Sequence, residues 1–129
     1  MLILRRPIET DEQAIAEYVD EFARAGEVHI HGSGRMVAMP FHEWLAFGRD
    51  NESEATLWAG LAPATQYVSV RPSDGKIVGC LQLRHCLNEY LMRFGGHIGY
   101  SIRPSERRKG YGAEQLRLAL IKCRALDIR

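Results

Sequence analysis

The residues best placed to do chemistry are Arg107, Arg108, Lys109, Gly110, Tyr111 and Gly112, a basic run punctuated by two glycines. They stand where a turn gives way to a helix. The first N–H groups of a helix have no internal partner, and the helix dipole adds partial positive charge there. That combination suits an anion, and a phosphate above all. Gly110 and Gly112 remove side chains where a ligand must approach the backbone. Arg107, Arg108 and Lys109 place positive charge around the same point. The chemistry implied is the holding of a phosphate-bearing ligand at a strand–loop–helix junction. Two other phosphate loops are excluded. The chain has no Gly-x-x-x-x-Gly-Lys-Ser/Thr run, and no Gly-x-Gly-x-x-Gly after a strand.

The elements flanking this loop must position it. Gly95-Gly96 opens a strand that runs through Ile98 and Tyr100 to Ile102, and Pro104 ends it. After the loop comes a long helix. Leu116, Leu118, Ala119, Leu120, Ile121, Cys123 and Leu126 are expected to pack more than one of its faces, with Gln115, Lys122 and Arg124 on its polar side.

The upstream chain supplies a frame. Leu2 to Arg6 is expected as an edge strand stopped by Pro7, since proline cannot donate to a ladder. Thr10 then opens a helix, with Thr10-x-x-Gln13 fitting a capping box and Asp11 and Glu12 suiting the positive helix start. Ile15, Val19 and Phe22 share a face of that helix, and Gly26 stops it. Pro40 suits a first helical position, and Phe41, Trp44, Leu45 and Phe47 form a short aromatic helix ending near Gly48. Leu57 to Pro63 reads as a packed loop. Tyr67 to Val70 and Ile77 to Arg84 form a hairpin across the turn chemistry of Pro72-Ser73-Asp74-Gly75. His29 and His31 could contact a metal, but no further ligand stands at metal-site spacing, so no metal is expected.

Composition sets bounds. The chain has 129 residues, 46% hydrophobic and 26% charged, which suits one ordered domain over 1–129. A net charge of +1 gives no global pull toward nucleic acid or membrane, so the basic loop is a local feature. No apolar run is long enough to span a bilayer, and the start lacks a secretory signal. The 3 cysteines, Cys80, Cys86 and Cys123, suggest no disulfide framework and lead to the expectation of a reducing cytoplasm.

Arg107-x-x-Gly110-x-Gly112, following a strand that ends Ile102-Arg103-Pro104, resembles the acyl-CoA signature of the Gcn5-related N-acetyltransferase superfamily. Ile98-Gly99-Tyr100 resembles that family's fourth strand. Leu83 to Asn88 together with Gly95 to Tyr100 is similar to a bacterial subgroup of predicted acetyltransferases. The resemblance implies an α/β (α+β) fold, with a mixed, mostly antiparallel sheet flanked by helices. It implies a single N-acetyltransferase domain that stops where the family's fifth strand would begin, so that the closing strands are missing.

The resemblance implies transfer of an acetyl group from acetyl-CoA, as co-substrate, to a primary amine. Arg107 to Gly112 then match the pyrophosphate cradle, and the strand backbone at Tyr100, Ser101 and Ile102 matches the family's pairing with the pantetheine arm. His97, just before Ile98-Gly99-Tyr100, is the candidate base, because an imidazole titrates near neutral pH; Glu89 and His85 are second choices. No general acid is named, and the amine acceptor is unknown. The His29 to Gly34 stretch is expected to be a loop near the acceptor. A missing fifth strand would expose the fourth strand's edge, for which pairing with a second copy is the expected cover. The alternative to catalysis is an acyl-CoA-binding remnant without turnover.

Overall fold

In the computed structural model the described residues are 1–85 and 98–125, with side chains of the last helix described as far as Lys122. They form four strands, three helices and two short 3-10 turns. The strands are β1 (Ile3–Arg5), β2 (Ala64–Arg71), β3 (Lys76–Arg84) and β4 (Ile98–Ile102), and the helices are α1 (Glu12–Arg24), α2 (Phe41–Asp50) and α3 (Tyr111–Ala125). The sheet order is β1-β2-β3-β4, and every pair is antiparallel. The expected element order is therefore the observed one, with β1 at the edge where Pro7 was expected to leave it.

The sheet is covered on both faces because its two central strands are apolar on both. Side chains alternate along a strand. Val68 and Cys80 pack with Ile15, Tyr18 and Phe22 of α1 and with Trp44 and Leu45 of α2. Tyr67, Leu81 and Leu83 form a second core with Leu4 and with Ala119 of α3. The hairpin turn is closed by Gly75 at φ 72°, and Asp74 accepts from Arg71 and from the Lys76 N–H.

Several local expectations are corrected. Thr10 does not cap α1. A 3-10 turn at Glu9–Asp11 precedes the helix, and Asp11 accepts from the Ile8 N–H at 2.8 Å. Arg5 grips the same carboxylate at 2.8 and 2.9 Å, so Asp11 ties β1 to α1 in a way a local hydroxyl could not. Gly26 does end α1, at φ 78°. Pro40 is the N-cap rather than the first helical residue, and α2 runs two residues past Gly48 to Asp50. The Leu57 to Pro63 loop is only partly packed, since Trp58 is 40% exposed.

The last helix departs furthest. Gln115, expected on the polar side, is fully buried, while Leu120 and Ile121 are about half exposed. Gln115 Oε1 accepts from the Ser69 hydroxyl of β2, which gives a buried amide the partner it requires. Among the described elements α3 has one sheet face to cover, and Leu120 and Ile121 fall off it. His29 and His31 stack edge to face at the surface, with ring centres 4.3 Å apart.

Candidate functional site

Strand β4 leads directly into the basic loop. Arg103 leaves the strand with its N–H on Val78 O at 2.8 Å and its guanidinium on Ile77 O and Glu21. Pro104–Glu106 make one 3-10 turn. Arg108 (φ 65°) and Gly110 (φ 83°) both adopt left-handed conformations, so the backbone reverses twice before α3 begins at Tyr111. Such a path turns successive amides toward one side, as in anion-binding nests. The N–H groups of Arg108, Lys109, Gly110, Tyr111, Gly112 and Ala113 donate to no group among the described residues. A Cβ on Gly110 would meet nothing within 4 Å, and one on Gly112 would lie 3.9 Å from the Tyr100 ring. The backbone is thus open above Gly110 and shielded by Tyr100 beside Gly112.

The three cations of the loop have different duties. Arg107 forms a two-pronged ion pair with Glu27, both contacts 2.7 Å, and its Nε donates to Ile102 O at 3.1 Å. Lys109 donates to Glu106 at 2.9 Å. Arg108 alone has no carboxylate partner among the described residues. Glu106 is buried and also accepts from Arg71 at 2.7 Å and Lys76 at 3.1 Å. The Lys109 hydrogen bond, with Arg71 and Lys76 adding to it and burial opposing, holds the Glu106 carboxyl down at about 2. Sequence reasoning missed Glu106, since three cations from three places in the chain meet on it only in the fold.

The outer edge of β4 is the second part of the site. Because Arg103 N bonds Val78 O, the alternation of an antiparallel ladder turns the backbone groups of Ser101 toward Cys80 and those of Tyr100 and Ile102 outward. Ile102 O is the one taken by Arg107. The Ser101 side chain goes inward, where its Oγ lies 3.1 Å from Tyr18 Oη and 3.2 Å from Cys80 Sγ. Burial pushes the Tyr18 hydroxyl well above its ordinary range and the Cys80 thiol up to about 11. Both are neutral spacers at physiological pH.

A loop that the sequence left without detail packs over the start of this strand. Gly32 (φ 71°) lies so close to β4 that a Cβ there would overlap the Gly99 carbonyl oxygen and sit 2.6 Å from Tyr100 Cα. Gln66 Nε2 holds Gly32 O at 2.8 Å, and Trp44 Nε1 holds Ser33 O at 2.9 Å. The close approach of Gly32 had no local signal, because the strand it touches lies far along the chain.

The structure brings Tyr100, Ser101, Ile102 and Arg107 to Gly112 into one continuous strand-and-loop feature. His97 and Glu89 lie outside the described residues. His85 sits at the end of β3 with Nε2 2.5 Å from Thr65 Oγ1, and burial lowers its pKa. Among the described residues no group of three or more His, Cys, Asp or Glu could hold a metal, and no helix is long and apolar enough to cross a membrane.

Comparison with known proteins gives two findings. The family model described as "Acetyltransferase (GNAT) family" matches residues 35–129. A crystal structure provisionally described as that of a phosphinothricin N-acetyltransferase superposes with a TM-score of 0.57 at 17% identity, covering 100% of this chain and 68% of that one. At that identity the likeness speaks for the fold. No curated protein matches the chain significantly.

Proposed function

The chain belongs to the GNAT family of acetyltransferases, and from that premise we propose that it moves an acetyl group from acetyl-CoA to a primary amine by direct attack. The observation that carries the reading is the run of amides from Arg108 to Ala113 that have no partner among the described residues. Free N–H groups at a helix start, with Arg108 beside them, fit the pyrophosphate of the coenzyme. The outward backbone groups of Tyr100 lie on the same edge, where an amide-bearing arm can pair as an added strand would.

The reaction needs a neutral amine. Its nitrogen forms a bond to the acetyl carbonyl carbon, the carbon–sulfur bond breaks, CoA leaves as a thiolate, and the amine gives up a proton. The thioester oxygen gains charge on the way, and an outward N–H of β4 such as that of Tyr100 is suited to stabilise it. His97 is the proposed base and Glu89 the reserve. His97 stands immediately before Ile98 in the sequence, and Glu89 lies in the stretch that leads up to it. The described residues supply no evident general acid: Tyr111 belongs to the cradle, and its hydroxyl lies 3.3 Å from Arg71.

The test is calorimetric titration with acetyl-CoA, with Gly110→Val alongside. Valine at φ 83° is strained whatever space surrounds it, so the cradle must turn and micromolar binding should be lost. Equal affinity in both proteins would remove the cradle. Binding without thiol release, across a broad set of amines, would leave an acyl-CoA-binding domain in place of an enzyme.

A further inference from the structure

Beside β4, on the α1/α2 face of the sheet, lies a cleft of about 290 Å³. Its walls include Gly34, Arg35, Phe47, Asn51, Gln82 and Arg84. Its position relative to the strand is fixed by register. Gln82 pairs with Gly99, and a Cβ on Gly99 would lie 3.6 Å from Gly32 Cα and 3.8 Å from Arg84 Nη1. The cleft therefore ends against the residue before Tyr100, whose outward backbone groups belong to the acyl-donor edge.

The chemistry of its wall is selective. Asn51 is buried, and its backbone is fixed on both sides, the N–H on Phe47 O at 3.1 Å and the carbonyl accepting from Ala64 at 2.7 Å. Its Oδ1 nevertheless has no partner among the described residues. Gln66, also buried, spends its Nε2 on three carbonyls, yet its Oε1 is equally unpartnered. That oxygen faces Gly34 of the cleft, 3.4 Å from where a Cβ would stand. Buried acceptors are normally satisfied, so the orphaned oxygen of Asn51 in the cleft wall, with that of Gln66 behind Gly34, points to a donor that arrives with a ligand. Arg35 supplies the opposite preference. Its guanidinium lies over the Phe47 and Trp58 rings at 5.0 and 5.6 Å, and it has no carboxylate partner among the described residues. Among the described residues no carboxylate lines the cleft.

We propose that this cleft is the acceptor subsite, and that the acceptor is a small amine carrying a carboxylate, of the free amino-acid class. The proposal rests on the acetyltransferase reading above. Arg35 takes the carboxylate, and Asn51 Oδ1 accepts an amine N–H. The nitrogen acquires the acetyl carbon, the thioester carbon–sulfur bond breaks, and the products are an N-acetyl amino acid and CoA.

The experiment is titration of the chain, saturated with CoA so that no turnover occurs, with a panel of free amino acids and with the decarboxylated amine of each. The expected result is at least a tenfold tighter fit for one or more amino acids than for the matched amine. Arg35→Gln should erase that difference. Asn51→Leu should weaken both partners at least fivefold, while its acetyl-CoA affinity stays unchanged and its urea midpoint holds or rises, because an orphaned oxygen has been removed. Equal binding of acid and amine, or a difference that survives Arg35→Gln, overturns the subsite. Failure of acetyl-CoA to bind overturns the transferase reading instead, and the same titrations without CoA still decide whether the cleft prefers amino-carboxylates.

Discussion

Replacing Gly32 with alanine tests the packing on which the acceptor side of the site depends. Two effects add at this position. Its φ of 71° lies in the left-handed region, where an L-residue is disfavoured by about 1–2 kcal/mol. The new Cβ would also overlap the Gly99 carbonyl oxygen and lie 2.6 Å from Gly99 C and Tyr100 Cα. These are backbone atoms of a paired strand, so they cannot swing aside as a side-chain tip would. Overpacking of this kind costs about 1–3 kcal/mol. The total is about 2–5 kcal/mol, less a few tenths gained from a stiffer unfolded chain.

Gly26→Ala is the internal control. Its φ is 78° and a Cβ there would meet nothing within 4 Å, so it carries the strain without the contact. Urea unfolding of both variants at a common m-value isolates the contact as their difference, expected at about 1–3 kcal/mol. In a domain of this size that is roughly 4–12 °C in melting temperature. If Gly32→Ala falls within about 0.5 kcal/mol of Gly26→Ala, a scale on which ordinary surface changes lie, the loop is not seated on β4 and the cleft beside it loses its wall.

Three further outcomes can be measured. Glu106→Gln should destabilise by about 2 kcal/mol, below the range for a fully buried pair because its three cations are partly exposed. The pH dependence has a definite sign: the folded carboxyl, at about 2, lies below the ordinary 4.5, so folding is favoured above pH 4.5 and that contribution is lost as pH falls toward 2; acid titrations of wild type and Glu106→Gln should therefore converge below pH 3. With Cys86 and Cys123 replaced by serine, Cys80 at about 11 should resist alkylation at pH 7 and react at the unfolded rate once urea is added; rapid labelling of the folded chain would contradict its burial. His97→Ala should lower turnover and flatten the pH–rate profile, and an unchanged profile would free His97 from the role of base.

The parts of the fold legible in the sequence were those set by local pattern. The β-type runs of β2 and β3, the turn at Asp74-Gly75, the apolar face of α1 and the stop at Gly26 all act within a few residues. So did the order of strand, proline, basic loop and helix around Gly110. What could not be read was decided by distant partners. Gln115 belongs to a polar helix face until Ser69, on β2, gives its amide a buried partner. Thr10 is the better local cap, but neither it nor Asp11 caps α1 with its side chain, because Asp11 is held by the Ile8 N–H and by Arg5 of β1. The loop cations seemed interchangeable, yet Glu27 and Glu106 occupy Arg107 and Lys109 and leave Arg108 without a carboxylate partner among the described residues. Asn51 and Gln66 gave no signal, since an unpartnered oxygen exists only once everything around it is in place.

The end of α1 has a consequence for how tightly the loop can hold a ligand. Glu21 takes the N–H and hydroxyl of Ser105 together with Arg103 Nε, and Glu27 takes both prongs of Arg107. A helix from early in the chain thus splints the turn that precedes the cradle. Its conformational freedom is given up during folding rather than at the encounter, so in the proposed cradle a phosphate loses little entropy in ordering the amides. The Arg107–Glu27 half of the splint is exposed, where added salt screens it, whereas Arg103 with Glu21 is largely buried. Rising ionic strength should therefore weaken the site twice over, once by shielding the anion from Arg108 and once by loosening the clamp that holds the amides in line.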